Sequence, residues 1–558
     1  MNQRSPYYSL FHPKPLARRV SSFGFPRDLG DRFQIIQRWL GFANDYEPSN
    51  LIAEAQFLHD IFVDILGYKS PFETAGLDWE LELHPNPALG FFTETSVNVI
   101  AEIIVNAAEE GAIVKPEPQH ETTEWMIVLD YREICLYHRD VSGLFCQRFA
   151  WESLADLGQL KAFYFLLSRR TLLRGIAISE DRSRTTQLLE ESHQLETEVL
   201  KNFYSHYYKI RSQLIKDFRY RLLLLAQASK TNSLDAHLQI HTEDVITIAI
   251  YQAQKLLNRI LFVACCEDRG LLPKHLIKDA YEFVNPYVEQ HIWENYKAIF
   301  RWVQKGNSNY HSPIKAYPSG LFANDHILDQ ALFVGDELSR QIKEITRFDF
   351  SEDVTRHILT ALFDDSIREL SQYRKDLGNL SKRRTPKLPC KVILQSESVI
   401  RTLQQHLSLA DQDDDRDRQF AQDTLAYCKA YQERLLNIKI VHPKCGAGVF
   451  LTTALEFLIS EHERIHHLLT KFSPHPEVLV HRNPTEVIAH ILQHNLFGCD
   501  VVEESIEITR LSLCLRSLEI DPEIPNFEQN IQLGELANCD FGEEYRQASD
   551  RGEIVILK

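Results

Sequence analysis

Ile440-Val441-His442-Pro443-Lys444-Cys445-Gly446-Ala447-Gly448-Val449-Phe450-Leu451 is the stretch from which the rest of the chain can be read. A short apolar run, Ile438 to Val441, feeds a tight Gly-x-Gly turn. A helix-period pattern follows at once: Leu451, Ala454, Leu455, Leu458 and Ile459 lie at i, i+3, i+4, i+7 and i+8. Strand, glycine turn and helix in this order open a nucleotide-binding unit of a doubly wound sheet. Glycine lets the backbone approach a ligand, and the helix start offers free N–H groups. Such a turn also occurs in α/β domains that bind nothing, so the reading rests on what accompanies it.

Two further segments accompany it in order. Asn495-Leu496-Phe497-Gly498-Cys499-Asp500-Val501 reads as a second strand ending in a carboxylate, followed by a helix with Ile508, Leu511, Leu515 and Leu518 on one stripe. Asn530-Ile531-Gln532-Leu533-Gly534-Glu535 reads as a third strand and turn. A carboxylate after the second strand is where a doubly wound site holds ribose hydroxyls.

The chain has 558 residues, enough for three or four domains, and a hydrophobic content of 44%, enough for real cores. A net charge of −17 excludes a uniformly basic nucleic-acid coat but leaves room for a local basic groove. The ten cysteines form no C-x-x-C pair and no zinc spacing, and read as reduced, cytosolic residues. No signal peptide or membrane-length apolar run is present, so the expected location is cytoplasmic, with no membrane partner.

Outward from the glycine stretch, the chain divides into an N-terminal arm (1–45), an α/β module (46–175), a helical connector (176–375) and the C-terminal part (376–558). In the arm, Pro6, Pro13, Pro15 and Pro26 break any period, so an extended run is expected ahead of a helix near Phe33–Phe42. In the module, a helix carries Ala55, Leu58, Ile61, Phe62 and Ile65 and ends at Leu66-Gly67-Tyr68. Strands are expected at Pro87–Phe92, Val99–Ala108, Trp125–Leu129 and Glu133–Tyr137. In the connector, Thr242 is the expected N-cap of a long helix running to Gly270, with Pro273 as the stop. An earlier helix, Phe203–Arg221, interleaves Tyr204, Tyr207, Tyr208, Phe218 and Tyr220 with Lys209, Arg211, Lys216, Arg219 and Arg221. Basic residues beside aromatics suit DNA backbone contact and stacking; a charged outer face of an ordinary amphipathic helix is the alternative.

On these residues the C-terminal part resembles the S-adenosylmethionine-binding half of an adenine-specific DNA methyltransferase, most closely the single-chain type IIG restriction–modification enzymes. Pro443, Cys445, Gly446, Gly448, Phe450 and Leu451 match that family's glycine motif, and Asn495 to Asp500 follow its second motif except at Cys499. The resemblance implies an α/β and α multidomain protein: a PD-(D/E)xK-like module, a helical connector and a partial Rossmann-like class I methyltransferase sheet. It implies a site for S-adenosylmethionine formed by Pro443, Cys445, Gly446, Gly448, Asp500 and Glu535. DNA is the implied partner, contacted by Lys209, Arg211, Arg219 and Arg221 and by Lys382, Arg383 and Arg384. The connector motifs Leu257–Phe262, Glu267-Asp268-Arg269-Gly270-Leu271-Leu272-Pro273, Gly320-Leu321-Phe322 and Phe348-Asp349-Phe350 resemble the family's own; Glu267, Asp268 and Arg269 are expected to form an ion pair or helix C-cap.

The departures are equally specific. Glu54, Phe57, Leu66, Gly67 and Tyr68, with Ile134, Leu136 and Tyr137, fit the family's nuclease module. Such nucleases hold Mg²⁺ with an Asp and the Glu of a Glu-x-Lys. Here Ala88, Ile104 and Asn106 stand at those positions, and Glu102, two residues off, shares the strand face of Ile104. No metal-ligating or catalytic residue is therefore assigned, and Mg²⁺ is not expected. His442 replaces an acid, Lys444 replaces a small residue and intrudes on the glycine turn, and Leu394-Gln395-Ser396 replaces the aromatic-Thr-Pro closing motif, so any cofactor should bind weakly. Glu553–Leu557 resembles the fourth strand, and the chain stops at Lys558, where an Asn-Pro-Pro-aromatic motif would begin. Three functions follow: a restriction–modification relative without catalysis as a single chain (a defence component or remnant), the cofactor-binding part of a split adenine methyltransferase completed by a second chain, or a non-enzymatic scaffold.

Overall fold

The computed structural model describes residues 8–42, 56–69, 80–85, 88–94, 98–105, 115–129, 133–173, 182–229, 240–284, 289–310, 313–317, 320–375, 396–407, 424–472, 483–520, 523, 525–551 and 554–557. The protein is a mixed α/β, multidomain chain. Its contacts divide it into a unit of residues 7–196 and a unit built from 197–558.

The first unit is organised on a seven-stranded sheet in the order β1-β7-β6-β5-β4-β3-β2. The strands are β1 (Tyr8–Ser9), β2 (Leu81–Pro85), β3 (Ala88–Glu94), β4 (Asn98–Val105), β5 (Trp125–Leu129), β6 (Glu133–His138) and β7 (Phe145–Ala150). β2, β3 and β4 form an antiparallel meander, β4 runs parallel to β5, and β5, β6 and β7 are antiparallel. Every residue of β5 is buried, which accounts for an apolar run without alternation. The N-terminal residues differ from the extended arm expected. Tyr8 pairs with Phe145 in the sheet and a helix, α1 (Pro13–Ser22), stands where the extended run was expected, while α2 (Leu29–Phe42) contains the helix expected near Phe33–Phe42. Pro13 and Pro15, read as breakers, sit instead in the first turn of α1, where a missing N–H costs nothing, while Pro26 does fall in the break between α1 and α2 and Pro6 lies outside the described residues.

α3 (Leu157–Leu167) closes the first unit, and α4 (Arg184–Ser229) contributes its first turns there and the remainder to the second unit. In the second unit α5 (Val245–Asp268) is buried nearly all round, with Leu256, Leu257, Ile260, Leu261 and Phe262 fully enclosed. A helix apolar on all sides is a core helix; each such side chain contributes roughly 1.5–3 kcal/mol by leaving water. The helix starts three residues after the Thr242 cap expected, and Asp244 at its boundary makes no side-chain cap bond. Burial of Val245 and the packing that follows outweigh the local capping signal. It ends because Gly270 takes φ +70°, which lets Leu271 N–H bond back to Cys266 O at 2.9 Å.

The remaining helices used below are α6 (Arg356–Lys375), α7 (Thr424–Asn437), α8 (Val449–Phe472) and α9 (Glu503–Leu518). They surround a four-stranded sheet, β8 (Lys439–His442), β9 (Leu496–Asp500), β10 (Ile531–Leu533) and β11 (Ile554–Ile556), all parallel, in the order β10-β9-β8-β11. α8 packs on α7 and α9, and α9 packs on α5. The motif Glu267-Asp268-Arg269 holds this arrangement. Glu267 accepts the N–H groups of His275 (3.2 Å) and Ile277 (3.0 Å), and Asp268 accepts that of Phe350 (2.8 Å). Arg269 pairs with Glu519 at 2.7 Å. Among the described residues no helix is long and apolar enough to cross a membrane.

Candidate cofactor site

The site lies at the carboxyl ends of β8 and β9. β8 and β9 run in parallel with Ile440 opposite Leu496 and His442 opposite Gly498. Asn495, just before β9, is fully buried and donates to Ile438 O at 2.7 Å, fixing the entry into β9 against the start of β8. Gly498 is needed for space: a Cβ there would stand 2.8 Å from Leu451 Cδ1. Leu451 in the first turn of α8 can therefore lie directly on β9.

The turn itself is held by hydrogen bonds from three directions. Gly446 (φ +55°) and Gly448 (φ +77°) adopt the left-handed conformation that other L residues resist. Gly446 N–H donates to Asp500 Oδ2 at 3.0 Å, and Cys445 N–H donates to Cys499 O at 2.9 Å. Asp500 Oδ1 accepts Val502 N–H at 2.9 Å, and Gly534 N–H donates to Asp500 O at 2.8 Å. Asp500 is 8% exposed and thus locks the three strand ends together. An ionised carboxylate has about four acceptor positions, so two remain for a ligand hydroxyl.

From α9, Thr509 Oγ1 donates to Gly446 O at 3.0 Å and Ser512 Oγ donates to Ala447 O at 3.1 Å. Sequence reading missed both, because it followed only the apolar stripe of that helix. The signal available was a pair of hydroxyls at i and i+3 beside the stripe.

The structure brings Pro443, Cys445, Gly446, Gly448 and Asp500 into one turn. Glu535 follows the end of β10 and is exposed. His442 stacks on Phe450 with ring centroids 5.0 Å apart, and its Nδ1 is shielded with no hydrogen-bond partner among the described residues. Burial lowers its pKa to about 4, so the ring is neutral at physiological pH. Lys444 is exposed, contrary to the expectation that its length would crowd the turn. Leu394 and Gln395 lie outside the described residues. These residues fit an adenosine-type cofactor through a glycine backbone open to close approach and a carboxylate with spare acceptors.

Glu102 on β4 is not placed for metal chemistry. It is 1% exposed and accepts Gln119 N–H at 2.9 Å, His120 N–H at 2.8 Å and the Thr123 hydroxyl at 2.6 Å. Ile104 is half-buried on the same strand, Ala88 begins β3, and Asn106 lies outside the described residues. His59, Asp60 and Asp64 bring ligand-type atoms within 4.8 Å of one another. Asp60, however, already accepts Trp39 Nε1–H at 2.9 Å and Gln56 Nε2–H at 2.6 Å.

The basic helix face resolves unevenly. Lys209 is exposed. Arg211 is turned inward, 2% exposed, 2.5 Å from Glu369 and stacked over Tyr207. Arg219 is half-buried, and Arg221 pairs with Asp217 at 2.8 Å. Tyr204, Tyr207 and Phe218 are core residues, while Tyr220 is 63% exposed. The face open to a polyanion is thus narrower than the sequence indicated, and Arg211 is not part of it. Lys382, Arg383 and Arg384 lie outside the described residues.

Comparison with known proteins finds similarity to restriction–modification proteins. Over 329 residues, half of this chain, it is 24% identical to a putative type II restriction enzyme and methyltransferase of Methanocaldococcus jannaschii. The match spans 26% of that protein. Among solved structures, the type IIL restriction–modification enzyme MmeI in complex with DNA aligns over 58% of this chain and 39% of its own, at 15% identity and a TM-score of 0.32. A DrdV–DNA complex aligns over 94% of this chain and 42% of its own, at 12% identity and a TM-score of 0.30. No family model matches the chain. The chain is thus similar in sequence to part of a restriction–modification enzyme and spans about a quarter of that protein's length.

Proposed function

We propose that residues 396–557 form the S-adenosylmethionine-binding half of an adenine-specific DNA methyltransferase, in a restriction–modification relative whose residues 7–196 keep a nuclease-like framework without its metal site. The observation that carries this is the bond from Gly446 N–H to Asp500 Oδ2, which fixes a left-handed glycine turn beside a carboxylate at the ends of β8 and β9. Parallel strands in the order β10-β9-β8-β11 support the reading: β8 is the central first strand, and the second and third strands lie to one side of it. The curated relative is named as both a restriction enzyme and a methyltransferase, which agrees.

The turn's glycines admit the cofactor's backbone-facing edge, and Asp500 accepts ribose hydroxyls. The cofactor, when bound, supplies a methyl group. Residues 1–558 contain no Asn-Pro-Pro-aromatic segment to hold a flipped adenine, so transfer requires such a segment from outside these residues. A non-enzymatic scaffold is the second reading, favoured by the two backbone bonds that already engage Asp500. Titration calorimetry with S-adenosylmethionine on the full chain separates them. Binding that is lost in Asp500→Ala supports the cofactor site; no heat at millimolar ligand leaves the scaffold.

A further inference from the structure

α9 has two working faces. One holds the glycine turn through Thr509 and Ser512. The other, with Glu507, Arg510, Leu511 and Cys514, walls a cavity of about 230 Å³ closed by Phe262 of α5, by Tyr317 and Leu321, and by Pro525–Glu528. This cavity belongs to the opposite end of the sheet from the glycine turn. Residues 525–528 immediately precede β10, whereas Gly446 and Asp500 lie past the ends of β8 and β9.

The lining is chemically specific. Phe262 and Tyr317 pack edge-to-face at 5.7 Å and, with Phe527 and Leu511, offer apolar faces to a flat ring. Two polar groups stand among them incompletely used. Arg510 directs Nη2 to Glu528 O (2.9 Å) and Ile531 O (2.7 Å), but its Nε is buried with no partner among the described residues. A buried donor without an acceptor is a costly state that a ligand acceptor would relieve. Glu507 is 9% exposed and meets Arg510 Nη1 only at 3.3 Å. Burial raises its pKa. The outer rim is polar, with Lys315 and Glu523 paired at 3.0 Å.

We propose that this cavity is a second small-molecule site, one that takes a single nucleobase or its nucleoside: a flat heteroaromatic ring held between Phe262, Tyr317 and Phe527. The adjacent acceptor and donor of the ring edge meet Arg510 Nε and Glu507. The size argues for a base and little more, since sites for drug-sized ligands run to roughly 300–1,000 Å³. Because α9 also carries Thr509 and Ser512, an occupant here stiffens the helix that holds the glycine turn.

The test uses the full chain with adenine and cytosine as probes, and the variants Ala316→Trp and Asp500→Ala. Ala316 is exposed at the mouth, so a tryptophan there obstructs entry without disturbing the core. Asp500→Ala separates this cavity from any adenine taken at the glycine turn. The expected result is binding of a probe by calorimetry in wild type and in Asp500→Ala alike, at least tenfold weaker in Ala316→Trp. Hydrogen exchange should slow on binding in residues 505–516 and 525–530. Absence of binding by both probes, binding unchanged in Ala316→Trp, or protection confined to residues 445–450 would each overturn the proposal. The last pattern would leave the cofactor reading standing, whereas loss of S-adenosylmethionine binding alone would leave this one standing.

Discussion

Arg269 Nη2 lies 2.7 Å from Glu519 Oε1, joining the end of α5 to the residue that caps α9. The pair belongs to a chain of alternating charges. Arg516 bonds both Glu519 (2.5 Å) and Glu456 (2.7 Å), and Arg356 of α6 pairs with Glu456. A connector motif that reads as a string of charges in sequence is thus a rivet between helices. Burial alone would raise the Glu519 carboxyl, but Arg269, then Arg516 and Arg356, outweigh it and hold the group down at about 2, against an ordinary 4.5. A depressed carboxylate contributes stability that is fully present above pH 4.5 and is lost as pH falls from 4.5 towards 2. Glu519→Gln should therefore lower stability at pH 7 by about 2–3 kcal/mol and flatten the acid limb of the unfolding curve. Urea melts at pH 7 and pH 3 measure both; equal loss at the two pH values would contradict the linkage.

The two turn glycines should differ in their tolerance of alanine. At Gly446 a Cβ meets nothing nearer than 3.9 Å, so the cost is backbone strain alone, about 1–2 kcal/mol. At Gly448 the Cβ would also stand 3.0 Å from Thr509 Cα, a backbone atom that cannot step aside. Gly448→Ala should destabilise by more than Gly446→Ala, and Thr509→Ser should not rescue it. Thermal unfolding of the three variants provides the ranking.

His442 is expected to make the protein acid-sensitive in its own range. Its pKa falls from 6.5 to about 4 on burial, so the folded state resists protonation. Its contribution is complete above pH 6.5 and fades as pH drops towards 4. His442→Phe keeps a ring against Phe450 and removes the titration. The variant's stability should change less between pH 7 and pH 4.5 than that of wild type, by at most one proton's worth of slope.

Glu102 should behave as a structural residue. Glu102→Ala leaves the N–H groups of Gln119 and His120 and the Thr123 hydroxyl without their acceptor. A loss of about 2–4 kcal/mol is expected, with no dependence on added Mg²⁺ or Mn²⁺. Plasmid incubated with the wild-type protein and either metal should remain uncut. Cleavage that Glu102→Ala abolishes would establish a nuclease site and reverse this reading.

On α4 the basic residues should separate by role. Arg211→Ala should lower the melting temperature through its lost pair with Glu369. Lys209→Ala should leave stability unchanged and, if this face meets DNA, reduce the salt dependence of binding by about one unit of slope. Fluorescence anisotropy with duplex DNA at several salt concentrations distinguishes them.

Much of the fold was legible in local pattern. Trp125–Leu129 and Leu496–Asp500 are buried apolar runs of strand length, and Leu451 to Ile459 repeat at helical spacing. Gly446 and Gly448 announced their turn because few other residues tolerate a positive φ. The folding of residues 8–42 into the first unit was not legible, because its cause is a pairing of Tyr8 with Phe145 far along the chain.

For the site, residue types and spacing were enough to locate the glycine turn and the strand-end carboxylate. Their partners were beyond the reach of any local pattern. Glu102 reads as an acid two residues from the expected position until Gln119, His120 and Thr123 close around it. Arg211 reads as a DNA contact until Glu369, 158 residues away, draws it inward. Thr509 reads as one polar residue of a helix until folding sets it on Gly446 O, 63 residues earlier. Periodicity reports which face of an element is apolar. A charged or hydroxyl group takes its role from the donor or acceptor it meets, and the packing of distant segments chooses that partner.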